Sequence, residues 1–285
     1  MNTKLIYDIG MYLGQDTRFY LQNGFDVLAV DASPKMIDKA SETFSKEIAD
    51  KRLTILNYVI STVPGEQMDF YISEMADWSS LRFEVATRED VSCRKVQVES
   101  CTLPLLFEKY GVPYYCKIDI EGYDEYAVRS MKGCHEIPKY ISCESESLGD
   151  KEIFTEEQAL ATLYALHETG YTKFKLVDQE TLKVLDRNTF YLNDNRASFI
   201  FKIVRKLFHF GNYKLAKYTT REKLSIKYRF NFDYYSSGPF GEMIDGKWFN
   251  FTEAKDLLLF HREQFFKQNV QMKLYSLWCD WHATY

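Results

Sequence analysis

Short apolar runs alternate with amphipathic stretches along the first sixty residues. Lys4–Ile9 is such a run and ends in Asp-Ile-Gly. Asp16–Asn23 has helical spacing and is closed by Gly24, a residue type that stops helices. Asp26–Asp31 is a second apolar run. Ser33 can cap a helix with Pro34 at its first position, and that pattern continues to about Ala49. Leu53–Ile60 is a third strand. Strand and helix repeating at this spacing predict a doubly wound α/β fold with a mostly parallel sheet.

The middle of the chain is less regular. Met68–Ile72 and Arg94–Cys101 alternate as strands do, and Glu74–Ser92 between them reads as a loop or lid. Leu103–Tyr110 is a short helix. Tyr114–Asp119 is a near-continuous apolar run of the kind a central parallel strand needs. Asp124–Met131 is helical and Tyr140–Glu144 is another strand. Thr155 caps a helix that runs to Thr169, with Gln158 at its third position and Gly170 as its stop. Thr172–Val177 and Ser198–Ile203 read as an antiparallel pair at the sheet edge. Residues 1–204 therefore form one α/β domain, and 205–285 a helical and loop extension that includes a helix over Phe251–Gln268.

Composition narrows the class. The chain has 285 residues, 46% of them apolar, so a packed core is available and disorder is excluded as its main state. A net charge of −5 excludes a polycation that coats nucleic acid, and no nucleic-acid partner is expected. No stretch approaches the ~20 apolar residues of a membrane span. No secretory signal opens the sequence, so a cytoplasmic location is expected. Six cysteines lack C-x-x-C spacing and read as reduced thiols. The segment from Lys202 to Arg229 carries nine Lys/Arg and one acid. Its plain reading is a solvated helix face; its alternative is a peripheral contact with anionic glycan, lipid phosphate or a nucleotide sugar.

Candidate chemistry starts at the tip of the first strand. Asp8-Ile9-Gly10-Met11-Tyr12-Leu13-Gly14-Gln15-Asp16-Thr17 is D-x-G-x-x-x-G running into a helix start. A nicotinamide fingerprint would read G-x-G-x-x-G and would avoid an acid facing a pyrophosphate. An acid here suits a ligand carrying an ammonium and a sulfonium, which describes S-adenosylmethionine. Asp31, at the tip of the second strand, can accept both ribose hydroxyls. Lys117-Ile118-Asp119-Ile120-Glu121-Gly122 places Asp119 and Glu121 at the carboxyl end of another strand, and Cys143-Glu144-Ser145-Glu146 repeats the arrangement. Carboxylates at adjacent strand ends can serve as a general base or as metal ligands.

The glycine turn, VDASP at the second strand and KIDIEGYD together resemble the FkbM family of S-adenosylmethionine-dependent methyltransferases. Asn57 in ILNYVIS, Ser79-Ser80, GYTKFKLVDQ, SSGPFGE and the closing WCDWHA extend the likeness over nearly the whole chain. Where the family usually has Glu-Pro at the second-strand tip, this chain has Asp31-Ala32-Ser33-Pro34.

The resemblance implies a Rossmann-like class I methyltransferase fold and O-methyl transfer to a sugar hydroxyl on a glycan, glycolipid or polysaccharide. Asp8, Gly10, Gly14, Asp16, Thr17, Asp31, Asn57 and Ser79 are then the cofactor residues. A sugar hydroxyl needs a base or a divalent ion (Mg or Mn) to lower its pKa. Asp119, Glu144 and His282 are the candidates for either task, with Asp280 as the orienting partner or co-ligand of His282. Glu121, Ser237, Phe240 and Trp248 would line the acceptor pocket, which the extension covers. His135, His167, His209 and His261 are read as structural. The competing readings are methylation of a protein or of a non-carbohydrate small molecule, a nicotinamide-dependent oxidoreductase, and a non-catalytic module of a glycan-assembly complex.

Overall fold

The computed structural model describes residues 1–145, 155–179, 181–188, 212–233, 235–266 and 278–285. The expected strand Ser198–Ile203, residues 202–211 of the basic segment and Glu146 lie outside them. The chain divides into two compact units. One comprises Met1–Glu144, Tyr164–Tyr171 and Thr284–Tyr285; the other comprises Ser145–Leu163 and Thr172–Ala283.

The first unit is built on β1 (Asn2–Ile9), β2 (Asp26–Asp31) and β3 (Leu53–Asn57). It adds β4 (Val59–Ile60), β5 (Gln67–Ser73), β6 (Cys93–Cys101), β7 (Pro113–Ile118) and β8 (Tyr140–Ser145). Five of them lie in the order β8-β7-β1-β2-β3, and every neighbour pair is parallel. The apolar runs explain the arrangement. Ile6, Ile9, Val27, Leu28, Ala29, Val30, Cys116 and Ile118 are all buried, as strands covered on both faces must be. Tyr7, also buried, brings a hydroxyl into this core and places it between the carbonyls of Leu106 and Gly111, 2.9 Å from each.

A second sheet has the order β4-β6-β5, with β4 parallel and β5 antiparallel to β6. The expected single strand Leu53–Ile60 is therefore two. It breaks after Asn57, whose side-chain amide donates to the carbonyls of Asp31 and Ala32, and β4 then joins the other sheet around Val59, Phe70 and Val98. The helix expected to reach Ala49 is also divided, into Pro34–Thr43 and Ser45–Ala49. Phe44 at the break is buried, with φ −108° and ψ 25°, outside helical geometry. The Glu74–Ser92 loop contains three short helical turns, Ala76–Trp78, Phe83–Ala86 and Arg88–Asp90.

In the second unit β9 (Lys173–Asp178) lies between β10 (Lys183–Val184) and β11 (Cys279–Thr284). Its pairing with β10 is antiparallel, in contrast to the parallel strands of the first unit. Thr155 and Gln158 form a reciprocal capping box, and the helix they begin breaks at Leu160 into Glu156–Ala159 and Ala161–Thr169. The basic stretch from Asn212 is a helix to Tyr228. Arg221 on it belongs neither to a solvated face nor to a partner surface: it is buried and donates to the carbonyls of Gln179, Phe232 and Asp233. The last long helix spans Phe251–Phe266. Cys93, Cys101, Cys116 and Cys134 are free thiols. No helix among the described residues is long and apolar enough to cross a membrane.

Candidate active site

The carboxyl ends of β1, β2, β7 and β8 bring the candidate residues of the first unit together. Gly10, just past β1, has φ +79°, and a Cβ there would stand 1.8 Å from the carbonyl oxygen of Asp119. The exits of β1 and β7 thus pack backbone on backbone, tied by a 2.9 Å bond from the Asp119 amide to the Ile9 carbonyl. Gly14, also left-handed at φ +76°, leaves its space to the ring of Phe44, 2.5 Å from where a Cβ would be. The space both glycines free is thus taken by the protein itself.

Asp8 and Asp16 turn inward. The Thr17 hydroxyl donates to one Asp8 oxygen at 2.6 Å, and the other oxygen lies 3.5 Å from the ammonium of Lys117. Burial pushes the Asp8 carboxyl up. Lys117 also stands 3.7 Å from Asp16, 3.4 Å from Asp119 and 3.2 Å from the Gly10 carbonyl. Burial alone would lower its pKa, but Asp119, Asp8 and Asp16 together hold it well above the ordinary lysine range. The buried acid of the motif therefore finds its cation within the chain.

Asp31 caps the turn. One of its oxygens accepts from the Tyr12 amide at 2.9 Å and the other from the Ser33 amide at 2.8 Å. Burial raises its carboxyl to about 6 despite those two bonds. Asn57 holds the neighbouring backbone, as described above, and the Ser79 hydroxyl accepts from the Ser73 amide.

Asp119, Glu121 and Glu144 offer oxygens that all lie within 4.8 Å of one another. Glu121 has a left-handed backbone at φ +51°, its carbonyl accepts from the Ser80 hydroxyl at 2.7 Å, and its carboxylate pairs with Arg88. Burial, reinforced by Asp119, raises its carboxyl to about 8. Buried Asp124 accepts from the amides of Ile120 and Glu144 and so links the ends of β7 and β8. The Arg88 guanidinium lies 4.9 Å over the Trp78 ring, which seats the 74–92 loop beside Glu121.

The remaining candidates belong to the second unit. His282 on β11 is buried, and neither ring nitrogen has a hydrogen-bond partner among the described residues. Asp280 is therefore not its orienting partner; it accepts instead from the Gln179 side chain at 2.5 Å. Burial and nearby Lys175 lower the imidazole to about 3, so it is neutral at physiological pH. Ser237 and Phe240 are buried in a loop that wraps Lys175. The Lys175 ammonium donates to the carbonyls of Gly241 and Ile244 and lies 4.1 Å over Trp248. The Trp248 indole donates to Glu242.

The sequence profile of the methyltransferase FkbM domain matches residues 8–173, more than half of the chain. The chain belongs to the FkbM family. It is an S-adenosylmethionine-dependent methyltransferase. Solved structures give looser likenesses. A precorrin-6y C5,15-methyltransferase from Geobacter metallireducens GS-15 is 11% identical, covering 67% of this chain and 74% of its own, at TM-score 0.33. A TehB-like SAM-dependent methyltransferase from Corynebacterium glutamicum is 13% identical, with coverages of 66% and 77% and TM-score 0.34. An O-methyltransferase from Bacillus cereus, solved in complex with SAH, is 12% identical, with coverages of 62% and 67% and TM-score 0.35. These superpositions are too loose to carry any argument. No curated protein matches the sequence.

The FkbM cofactor fits the donor chemistry at the β1 and β2 tips. Each Asp31 oxygen accepts one backbone N–H and keeps a lone pair, which is what a ribose diol needs. Sequence reasoning gave no role to Lys117, Asp124 or Arg88. Lys117 carried a readable signal: a lysine inside a buried apolar strand persists only with acids around it. Arg88 carried none, because its contact depends on how the loop folds back.

Proposed function

We infer that this FkbM methyltransferase transfers its methyl group to a sugar hydroxyl of a glycan, glycolipid or polysaccharide. The observation that carries the reading is the group of three carboxylates, Asp119, Glu121 and Glu144, gathered at the ends of two adjacent parallel strands. A sugar hydroxyl keeps its proton at neutral pH and is a weak nucleophile, so it needs a base in reach, whereas a neutral amine attacks through its own lone pair and depends less on such a base. The bound donor supplies an activated methyl on a sulfonium. The chain's own residues have three tasks: Asp31 holds the ribose, the Gly10 turn sets the depth of the pocket, and Asp119 or Glu144 takes the hydroxyl proton.

The same carboxylates support a second use. Carboxylate oxygens within 4.8 Å of one another are the ligand type that Mg or Mn takes from protein, and Asp119 and Glu144 would hold such an ion while Glu121 stays paired with Arg88. Such an ion would lower the pKa of the hydroxyl in place of a base.

The test is a methyl-transfer assay against a panel of sugars, glycolipids and amines, with Asp119→Asn and Glu144→Gln beside the parent. We expect sugar acceptors to be methylated and one or both substitutions to lower kcat about 10²- to 10⁴-fold, with donor affinity kept within a few-fold. Transfer to amines alone, or unchanged kcat in both variants, refutes the reading. Activity that survives excess chelator removes the ion and leaves the base.

A further inference from the structure

Among the described residues, Lys117 is the cation set among the buried acids of the turn, and its surroundings come from three parts of the chain. Asp8 and the Gly10 carbonyl belong to β1 and its exit, Asp16 to the start of the following helix, and Asp119 to the exit of β7. All four oxygens lie 3.2–3.7 Å from its nitrogen, so no carboxylate takes it alone and it sits between them as a shared charge. Exposure divides the group. The side chains of Asp8, Asp16 and Lys117 are 0, 2 and 4% exposed, and that of Asp119 is 29% exposed. Asp119 is thus the most exposed member of the cluster, and one of its oxygens lies 3.4 Å from Lys117. The Gly10 carbonyl bond ties the same ammonium to the turn where the donor is read to lie.

We propose that Lys117 is a positioning and charge-balancing residue for methyl transfer, holding Asp119 against the Gly10 turn and offsetting one of the three acids beneath the methyl donor. The proposal rests on the reading of the β1 tip as the donor site. Methyl transfer destroys the positive charge of the sulfonium: the S–CH₃ bond breaks, its electron pair stays on sulfur, the methyl bonds to the acceptor oxygen, and the oxygen's proton goes to base. Uncompensated acids beside that sulfur would hold the cationic donor too strongly relative to the neutral thioether product and would resist the charge loss. With all groups ionised, one ammonium leaves the three acids at −2 rather than −3. Lys117 touches no reactant and acts through Asp119 and the turn.

The experiment is calorimetric binding of S-adenosylmethionine and of S-adenosylhomocysteine at pH 8 to the full chain and to two variants, Lys117→Met and Lys117→Met/Asp8→Asn. The second variant restores the charge count while removing the ammonium. With one unit charge removed near the ligand and an effective dielectric between about 20 and 80, Lys117→Met should shift the affinity ratio toward the sulfonium by roughly two- to thirty-fold. The double variant should return the ratio to the parental value, whether or not Lys117→Met folds. A purely structural lysine would weaken both ligands alike and leave the ratio unmoved; that result in a folded Lys117→Met overturns the proposal. A parental ratio that the double variant fails to recover, or failure of the double variant to fold, does the same. If the parent chain binds neither ligand, the donor-site reading is what fails.

Discussion

Replacing Gly10 with alanine tests the close approach on which the donor pocket is built. Two costs add. The left-handed backbone at φ +79° costs a non-glycine residue roughly 1–2 kcal/mol. The new Cβ would also lie 1.8 Å from the Asp119 carbonyl oxygen, a backbone atom fixed by the Asp119-to-Ile9 bond, so the exits of β1 and β7 must separate by more than an ångström. Gly24 supplies an internal control. Its φ of +84° carries the same conformational cost, but a Cβ there meets nothing within 4 Å. Thermal unfolding together with calorimetric binding of S-adenosylhomocysteine should therefore separate the two substitutions. Gly24→Ala should lose about 1 kcal/mol and bind normally, whereas Gly10→Ala should lose about 3 kcal/mol or more and bind at least tenfold more weakly. Equal losses in the two variants, or parental affinity in Gly10→Ala, would refute the packing argument.

Two further outcomes follow from buried groups in the second unit. His282 titrates near 3 in the folded chain against 6.5 ordinarily, so between those values the unfolded chain binds a proton that the folded chain does not. Its contribution to stability is full above about pH 6.5 and is lost as pH falls toward 3, by a few kcal/mol in all. His282→Leu should flatten that acid limb in denaturant titrations from pH 4 to 8, and an unchanged slope would count against it. Arg221→Met removes a buried guanidinium and strands the carbonyls of Gln179, Phe232 and Asp233, which should cost about 2–4 kcal/mol. A melting temperature within a degree of the parent would show that these bonds contribute little.

How far the candidate site was legible depended on the range of the interaction involved. Asp8, Gly10 and Asp31 stood out because a strand tip followed by glycine and a helix start is a local pattern, fixed by backbone geometry within a few residues. The Asp119 and Glu121 pair stood out because KIDIEG ends a buried strand in acids. What the acids do with their charge was not local. Asp8 and Asp16 both face Lys117, more than a hundred residues away, because β1 and β7 are neighbours in the sheet. The expected partnership of Asp280 with His282 failed for a similar reason. Residues two apart on a strand share a face, but Gln179 on the chain after β9 reaches Asp280 first.

The amino-acid order alone determined the α/β class, the parallel strands and the capping box at Thr155, since each follows from periodicity and termination signals spanning fewer than twenty residues. Ser33 stands at its expected N-cap position, but its side chain makes no cap bond there. Tertiary structure decided where Leu53–Ile60 divides between two sheets, which backbone Gly10 must admit, and which cation the buried acids share. Those outcomes depend on distances between strands remote in the chain, and such distances are set by packing rather than by any local preference.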